Sequence, residues 1–172
     1  MKNNHKKLYS ALLMGLCIAG TSNAASDGAY TTAQVGVAGV AFDGAGPYFH
    51  FALGDQMNRY FALEGGITAI PTTTGSSSWW LDDGVAKLYS VDGDVKAMLP
   101  LGDRFNIYAK VGPSLAYFED DNDDSVGVMG NGAVGVAFNI TEHWTTDLSV
   151  GLMIGDGAGI LTSQLGLGYH FA

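Results

Sequence analysis

Between Phe105 and Phe118 the side chains change character at every step. Phe105, Ile107, Ala109, Val111, Pro113, Leu115 and Tyr117 fall on one side of an extended chain; Asn106, Tyr108, Lys110, Gly112, Ser114, Ala116 and Phe118 fall on the other. Successive side chains of a strand project to opposite faces, whereas a helix would scatter both sets around its surface. The same alternation recurs along the chain and predicts eight strands, at roughly 29–42, 46–54, 60–70, 85–99, 105–118, 126–140, 144–156 and 159–171. One face of each carries bulky apolar residues, such as Phe49, Phe51 and Leu53, or Leu148, Val150, Leu152 and Ile154. The opposite faces carry Gln34, His50, Glu64, Asp92, Asp94, Lys96, Lys110, Asn131, Asn139, Asp147, Gln164 and His170, among many small residues.

Which face would be buried decides the solvent. A soluble ligand-binding barrel keeps an apolar interior and a charged exterior. Here the large residues share one face and the opposite face is small and polar. A narrow eight-stranded barrel has little internal room, so this division suits a polar lumen and a wall of Leu, Val and Phe turned to lipid. The connections agree. Gly54–Arg59, Pro100–Arg104 and Thr141–His143 read as short turns at one end. Asp43–Ala45, Pro71–Gly84, Glu119–Ser125 and Gly155–Ala158 make the other set, with the two longest loops. The expected fold is all-β: an eight-stranded antiparallel up-and-down transmembrane β-barrel over 25–172.

The chain starts differently. Lys2, His5, Lys6 and Lys7 precede a mostly apolar stretch from Leu8 to Gly20, followed by small residues before a cut between Ala24 and Ala25. That is the layout of a secretory signal peptide over 1–24, and the apolar run is too short to span a bilayer. Cys17, the chain's single cysteine, lies in that leader after Leu16, a poor context for lipid attachment. The mature chain would hold five basic residues (Arg59, Lys87, Lys96, Arg104, Lys110) against 17 acidic ones, a formal charge of −12. It would have no cysteine, which excludes a disulfide scaffold or a Cys-rich zinc module. Such an acidic chain is no electrostatic binder of nucleic acid.

Three segments carry a family resemblance. Leu99 to Gly112 (LPLGDRFNIYAKVG) resembles the central periplasmic hairpin of OmpA-like small outer-membrane barrels, Arg59 to Gly66 (RYFALEGG) resembles their third strand, and Leu165 to Phe171 (LGLGYHF) resembles their C-terminal strand. One departure is that Ala172 follows Phe171, where the family usually ends on the aromatic. The resemblance implies insertion by the barrel-assembly machinery, an outer-membrane location with loops at the surface, and contact with membrane lipid and lipopolysaccharide. With the chain ending at the barrel, a monomer without an added peptidoglycan-binding domain is expected.

For the lumen, the sequence predicts a polar network of Glu64, Asp92, Asp94, Lys96 and Lys110, with Asp147 across or beside it. If strands four and five pair with residue numbers summing to about 204, Asp94 faces Lys110. The network either fills and locks the barrel or, with acids exceeding bases, lines a narrow cation-preferring path. Interface aromatics are expected at Trp144, Tyr169 and Phe171 near the short turns, and at Trp79 and Trp80 in a long loop. The Ser/Thr-rich stretch before Trp79 reads either as a surface contact for a host ligand or as a loop anchored by its tryptophans.

Catalysis and metal binding find little support. There is no Gly-x-Ser-x-Gly elbow and no His-x-Ser pattern, and His50 and His170 belong to inward faces. Asp121, Asp123 and Ser125 have the spacing of part of a calcium loop, but Val126 stands where such a loop needs glycine. Catalytic, metal and cofactor sites are therefore expected to be absent.

Overall fold

The computed structural model describes residues 28–40, 44–75, 86–119, 124–155 and 158–171. The expected leader with its expected cut between Ala24 and Ala25, Trp79 and Trp80, and residues 120–123 of the acidic loop lie outside them. Eight strands follow one another: β1 (Gly28–Val40), β2 (Gly44–Asn58), β3 (Phe61–Gly75), β4 (Ala86–Leu101), β5 (Phe105–Glu119), β6 (Asp124–Asn139), β7 (Trp144–Gly155) and β8 (Ala158–His170). Each pairs antiparallel with the next, and β1 pairs with β8 from Tyr30↔His170 to Val40↔Ile160, which closes the barrel. Closure leaves no sheet edge, so the backbone is satisfied without water, as hydrocarbon requires.

The alternation sorts the two surfaces as expected. Phe51, Leu63, Val95, Ile107, Val134, Leu148 and Leu165 are exposed on the outer wall. Gln34, His50, Glu64, Asp92, Asp94, Asp147 and Gln164 are buried within. On β5 the outward aromatics Phe105 and Tyr117 are twelve steps apart, about 40 Å along the strand and about 28 Å of height at a tilt near 45°. That matches the ~25 Å apolar band of an outer-membrane barrel between its aromatic girdles. At one end Phe49, Ala69, Tyr89 and Tyr117 form a cross-strand row. At the other, the ring of Tyr169 lies 5.0 Å from that of Trp144 and 5.3 Å from that of Phe171.

The turns at this second end are built locally. Asn58 Oδ1 accepts from the backbone N–H of Tyr60 at 2.8 Å and of Phe61 at 3.0 Å. Thr141 Oγ1 accepts from His143 and Trp144 N–H at 3.2 and 3.0 Å. Such side chains replace a backbone turn partner. Between β4 and β5, Gly102 has φ of 85°, a left-handed geometry that favours glycine.

Several expected boundaries change. Pro100 and Leu101, read as the start of a turn, end β4 and pair with Asn106 and Phe105. Ala45, read as loop, pairs with Gly39 in β2, and Gly155 pairs with Ala158 between β7 and β8. The segment Gly54–Arg59 is not a turn: β2 continues to Asn58, with a register shift between Gln56 and Asn58, and pairs with Phe61. The loop expected from Pro71 starts later, because β3 runs to Gly75. Residues 124 and 125 of the acidic loop belong to β6, where Asp124 pairs with Glu119. Strands of 12 to 16 residues exceed the 9–11 that hydrocarbon requires, so their ends reach past it.

Candidate functional site

Among the described residues, the lumen is where buried charged side chains converge inside the wall. Its floor and roof differ. Towards the long-loop end the inward residues are apolar: Ala38, Tyr48, Ile70, Leu88, Ala116, Met129, Met153 and Ile160 form a buried cluster with Phe118 against it. The small, polar inner face read from the sequence therefore covers the middle and the short-turn end, not the whole height.

Below this apolar layer lies the charge network. Glu64 on β3 is its centre. Its Oε1 accepts from Lys96 Nζ on β4 at 2.8 Å and from Tyr30 hydroxyl on β1 at 2.8 Å, and its Oε2 lies 3.3 Å from Lys110 Nζ on β5. Lys110 Nζ also lies 3.5 Å from Asp94 Oδ2 and donates to His50 Nε2 at 3.5 Å. An ammonium only donates, so Nε2 accepts and the proton of a neutral His50 ring sits on Nδ1. Nδ1 meets Thr68 Oγ1 at 3.0 Å, and the Thr68 hydroxyl reaches Asp92 Oδ1 at 3.5 Å.

Asp147 on β7 holds a separate branch. Its Oδ1 accepts from Gln34 Nε2 and from Tyr108 hydroxyl, both at 2.8 Å. The branches touch through Lys96, whose ammonium stands 4.6 Å from the Tyr108 ring centre and 5.2 Å from that of Tyr30. Glu64, Lys96 and Lys110 thus make direct ion pairs, Asp94 joins through Lys110, Asp92 connects through Thr68 and His50, and Asp147 joins through a tyrosine.

The register differs from the expected one. β4 and β5 pair with numbers summing to 206, so Lys96 faces Lys110 and Asp94 lies one step diagonal. Asp94 still reaches Lys110 because the lysine side chain spans that offset. Tyr30 and Tyr108 were not among the predicted network residues, although their inward parity marked them as lumen side chains.

Several of these side chains lie over inward glycines. A Cβ at Gly54 would run into the Tyr30 ring, one at Gly66 into His50 and Asp92, and one at Gly166 into Asp147. Glycine here supplies volume for a neighbour's polar side chain as well as curvature.

On the short-turn side the network floors an open vestibule of about 520 Å³ with Arg59, Arg104, Glu142 and His170 among its lining residues. The His170 ring stacks on Tyr30 with centroids 5.1 Å apart. Among the described residues, no three His, Cys, Asp or Glu side chains are arranged to hold a metal.

This architecture has known relatives. A family model described as the outer membrane protein beta-barrel domain matches residues 9–171. The chain belongs to that family. The outer-membrane barrel is similar in fold to Neisserial surface protein A (NspA), with 14% identity, 83% of this chain and 96% of that one covered, and a TM-score of 0.64. It is also similar to the N-terminal β-barrel domain of Pseudomonas aeruginosa OprF, at 14% identity, 85% and 99% coverage and a TM-score of 0.62. Yersinia pestis Ail, the attachment invasion locus protein, aligns at 18% identity, 84% and 97% coverage and a TM-score of 0.56. No curated protein matches the sequence. As a member of this family the barrel resides in the outer membrane, its strands crossing the bilayer.

Proposed function

We propose that this outer-membrane barrel is a closed, non-catalytic wall element that serves envelope integrity, with its long loops available for surface interaction. The observation that carries the reading is Glu64 inside the lumen, 2% exposed in its side chain and tied to Lys96 and Lys110 on the two following strands and to Tyr30 on β1. An ion path would have to part these pairs and then the apolar layer around Ile70 and Met129. Unpaired charge at that depth is costly, so the network favours staying shut. The leader over 1–24 would deliver the chain for export, and the barrel over 25–172 would be the mature protein.

Surface interaction is the second role. Ail has been solved with the heparin analogue sucrose octasulfate. A polyanion of that kind suits this chain poorly, since 17 acidic residues stand against five basic ones beyond the leader. A partner at the loops would be neutral, basic or bridged by divalent ions.

Single-channel recording in planar bilayers tests the closed reading. Purified barrel is expected to give negligible conductance, and Lys110→Ala to remain silent because the apolar layer is intact. Steady cation-selective conductance in the unaltered protein would replace this reading with the narrow pore. Exchange of residues 76–84 for a Gly/Ser linker, scored by cell binding and by detergent sensitivity, separates a loop-borne contact from a purely structural role.

A further inference from the structure

The lumen network does not balance. Glu64, Asp92, Asp94 and Asp147 are all buried, facing the ammonium groups of Lys96 and Lys110. Glu64 takes both lysines and Asp94 shares one; Asp147 is held by two full hydrogen bonds. Asp92 is left with a hydroxyl at 3.5 Å and the neutral His50 ring at 3.8 Å.

Beside Asp92 is a small internal cavity of about 20 Å³, also lined by Asp94, Asn131 and Gln164, with His50 and Lys110 on its wall. This is room for about one water-sized guest. Its lining is rich in acceptors. Asp92 Oδ2, Asn131 Oδ1 and Gln164 Oε1 are buried with no hydrogen-bond partner among the described residues. Gln164 is 4% exposed, and its amide N–H is already given to Thr162 Oγ1 at 2.7 Å, which leaves its carbonyl as the free end. The Asp94 oxygens, also in the lining, have no hydrogen bond either and face only the Lys110 ammonium at 3.5 Å. An orphaned buried acceptor costs its full desolvation, and this many around one cavity exceed the two donors of a single water.

We propose that this cavity binds one dehydrated monovalent cation, sodium or potassium, held by Asp92 and the carbonyl oxygens of Asn131 and Gln164. Lys110 on the wall is already engaged by Asp94 and Glu64, so Asp92 keeps the lining net negative, and one cation answers both that charge and the surplus of acceptors. A divalent ion fits less well, because it favours a carboxylate-rich cage and only Asp92 and Asp94 bring carboxylates to this lining. The site would fasten β4, β6 and β8 across the lumen, beneath the apolar layer. It does not depend on the barrel being closed, and its test reads stability and density, not conductance.

The refolded barrel in detergent is unfolded by heat in sodium, potassium or N-methyl-D-glucamine chloride at equal ionic strength. The midpoint is expected to rise with sodium or potassium and to saturate, relative to the large organic cation. Asp92→Asn should abolish the difference, while Asp147→Asn, an equal loss of charge outside the cavity, should keep it. Crystals soaked in rubidium chloride should give an anomalous peak between Asp92 and Gln164, a readout that needs no variant. Identical midpoints in all three salts overturn the site, as does a cation effect that survives Asp92→Asn, which places the ion elsewhere. A midpoint that moves with pH but not with cation also overturns it, since a proton then balances Asp92.

Discussion

Lys96 and Lys110 occupy the same rung of the β4–β5 ladder, two like charges directly opposite each other, and the Glu64 carboxylate reaches both ammonium groups from β3. Like charges at a paired position destabilise a sheet, and here the third strand supplies the remedy. Glu64→Gln keeps the shape and removes the charge, leaving two lysines facing each other in a buried space. The variant should lose about 3 kcal/mol in urea unfolding from a folded, membrane-inserted state. Adding Lys96→Met should recover part of that loss, because it removes the charge that Glu64 neutralised. Equal stability of Glu64→Gln and the parent would mean that water, not Glu64, screens the lysines.

Much of this arrangement is written in the alternation. Parity alone places Glu64, Lys96, Lys110 and Asp147 inside and Val134 and Leu148 outside, because a one-residue slip would turn every side chain to the wrong solvent. Register was less legible. The β4–β5 hairpin turns over residues 102–104 with Gly102 left-handed, so its centre is Asp103, and the pair sum becomes 206 where a turn centred on Gly102 gives 204. Strand ends were also hidden. Past the lipid, Gln56 and Asn58 need backbone partners but no apolar face, and hydropathy does not mark where pairing stops. The apolar layer of Ile70, Met129 and Met153 escaped for another reason: parity assigns a side chain to the lumen but does not say which lumen residues share a height.

The Asp147 branch makes a narrower prediction. Tyr108→Phe removes one of the two donors to a buried carboxylate while keeping the ring on which the Lys96 ammonium rests. A hydrogen bond to a charged group contributes roughly 1.5–3 kcal/mol, so the variant should unfold earlier in urea by about that much. Ring–ammonium contact persists, and the chain should still fold and insert. Loss of insertion would show that the hydroxyl acts in assembly and not only in the finished lumen.

The outer wall should respond to charge by depth. Val134 and Val126 are both about two-thirds exposed and both point outward from β6, but Val134 pairs with Val150 and Ala109 near mid-height, while Val126 pairs with Tyr117 at the girdle. Val134→Arg should cost about 2–4 kcal/mol in lipid, and Val126→Arg about 1 kcal/mol or less. Equal costs would place the hydrocarbon differently along the strand. Measured in vesicles by reversible denaturation, the pair locates the membrane without labelling.

Gly54 tests whether a glycine is present for space. It is the direct partner of Tyr30 across the β1–β2 ladder, and a Cβ there would enter the tyrosine ring that bonds Glu64. The ring cannot retreat without giving up that bond, since its hydroxyl is fixed at 2.8 Å from the carboxylate. Overpacking of this kind typically costs about 1–3 kcal/mol, and Gly54→Ala should lose that much although alanine is otherwise the milder strand residue. On a Tyr30→Leu background the ring is gone, and the same substitution should cost nearly nothing. A cost unchanged between the two backgrounds would assign Gly54 to backbone curvature instead of to the room it gives Tyr30.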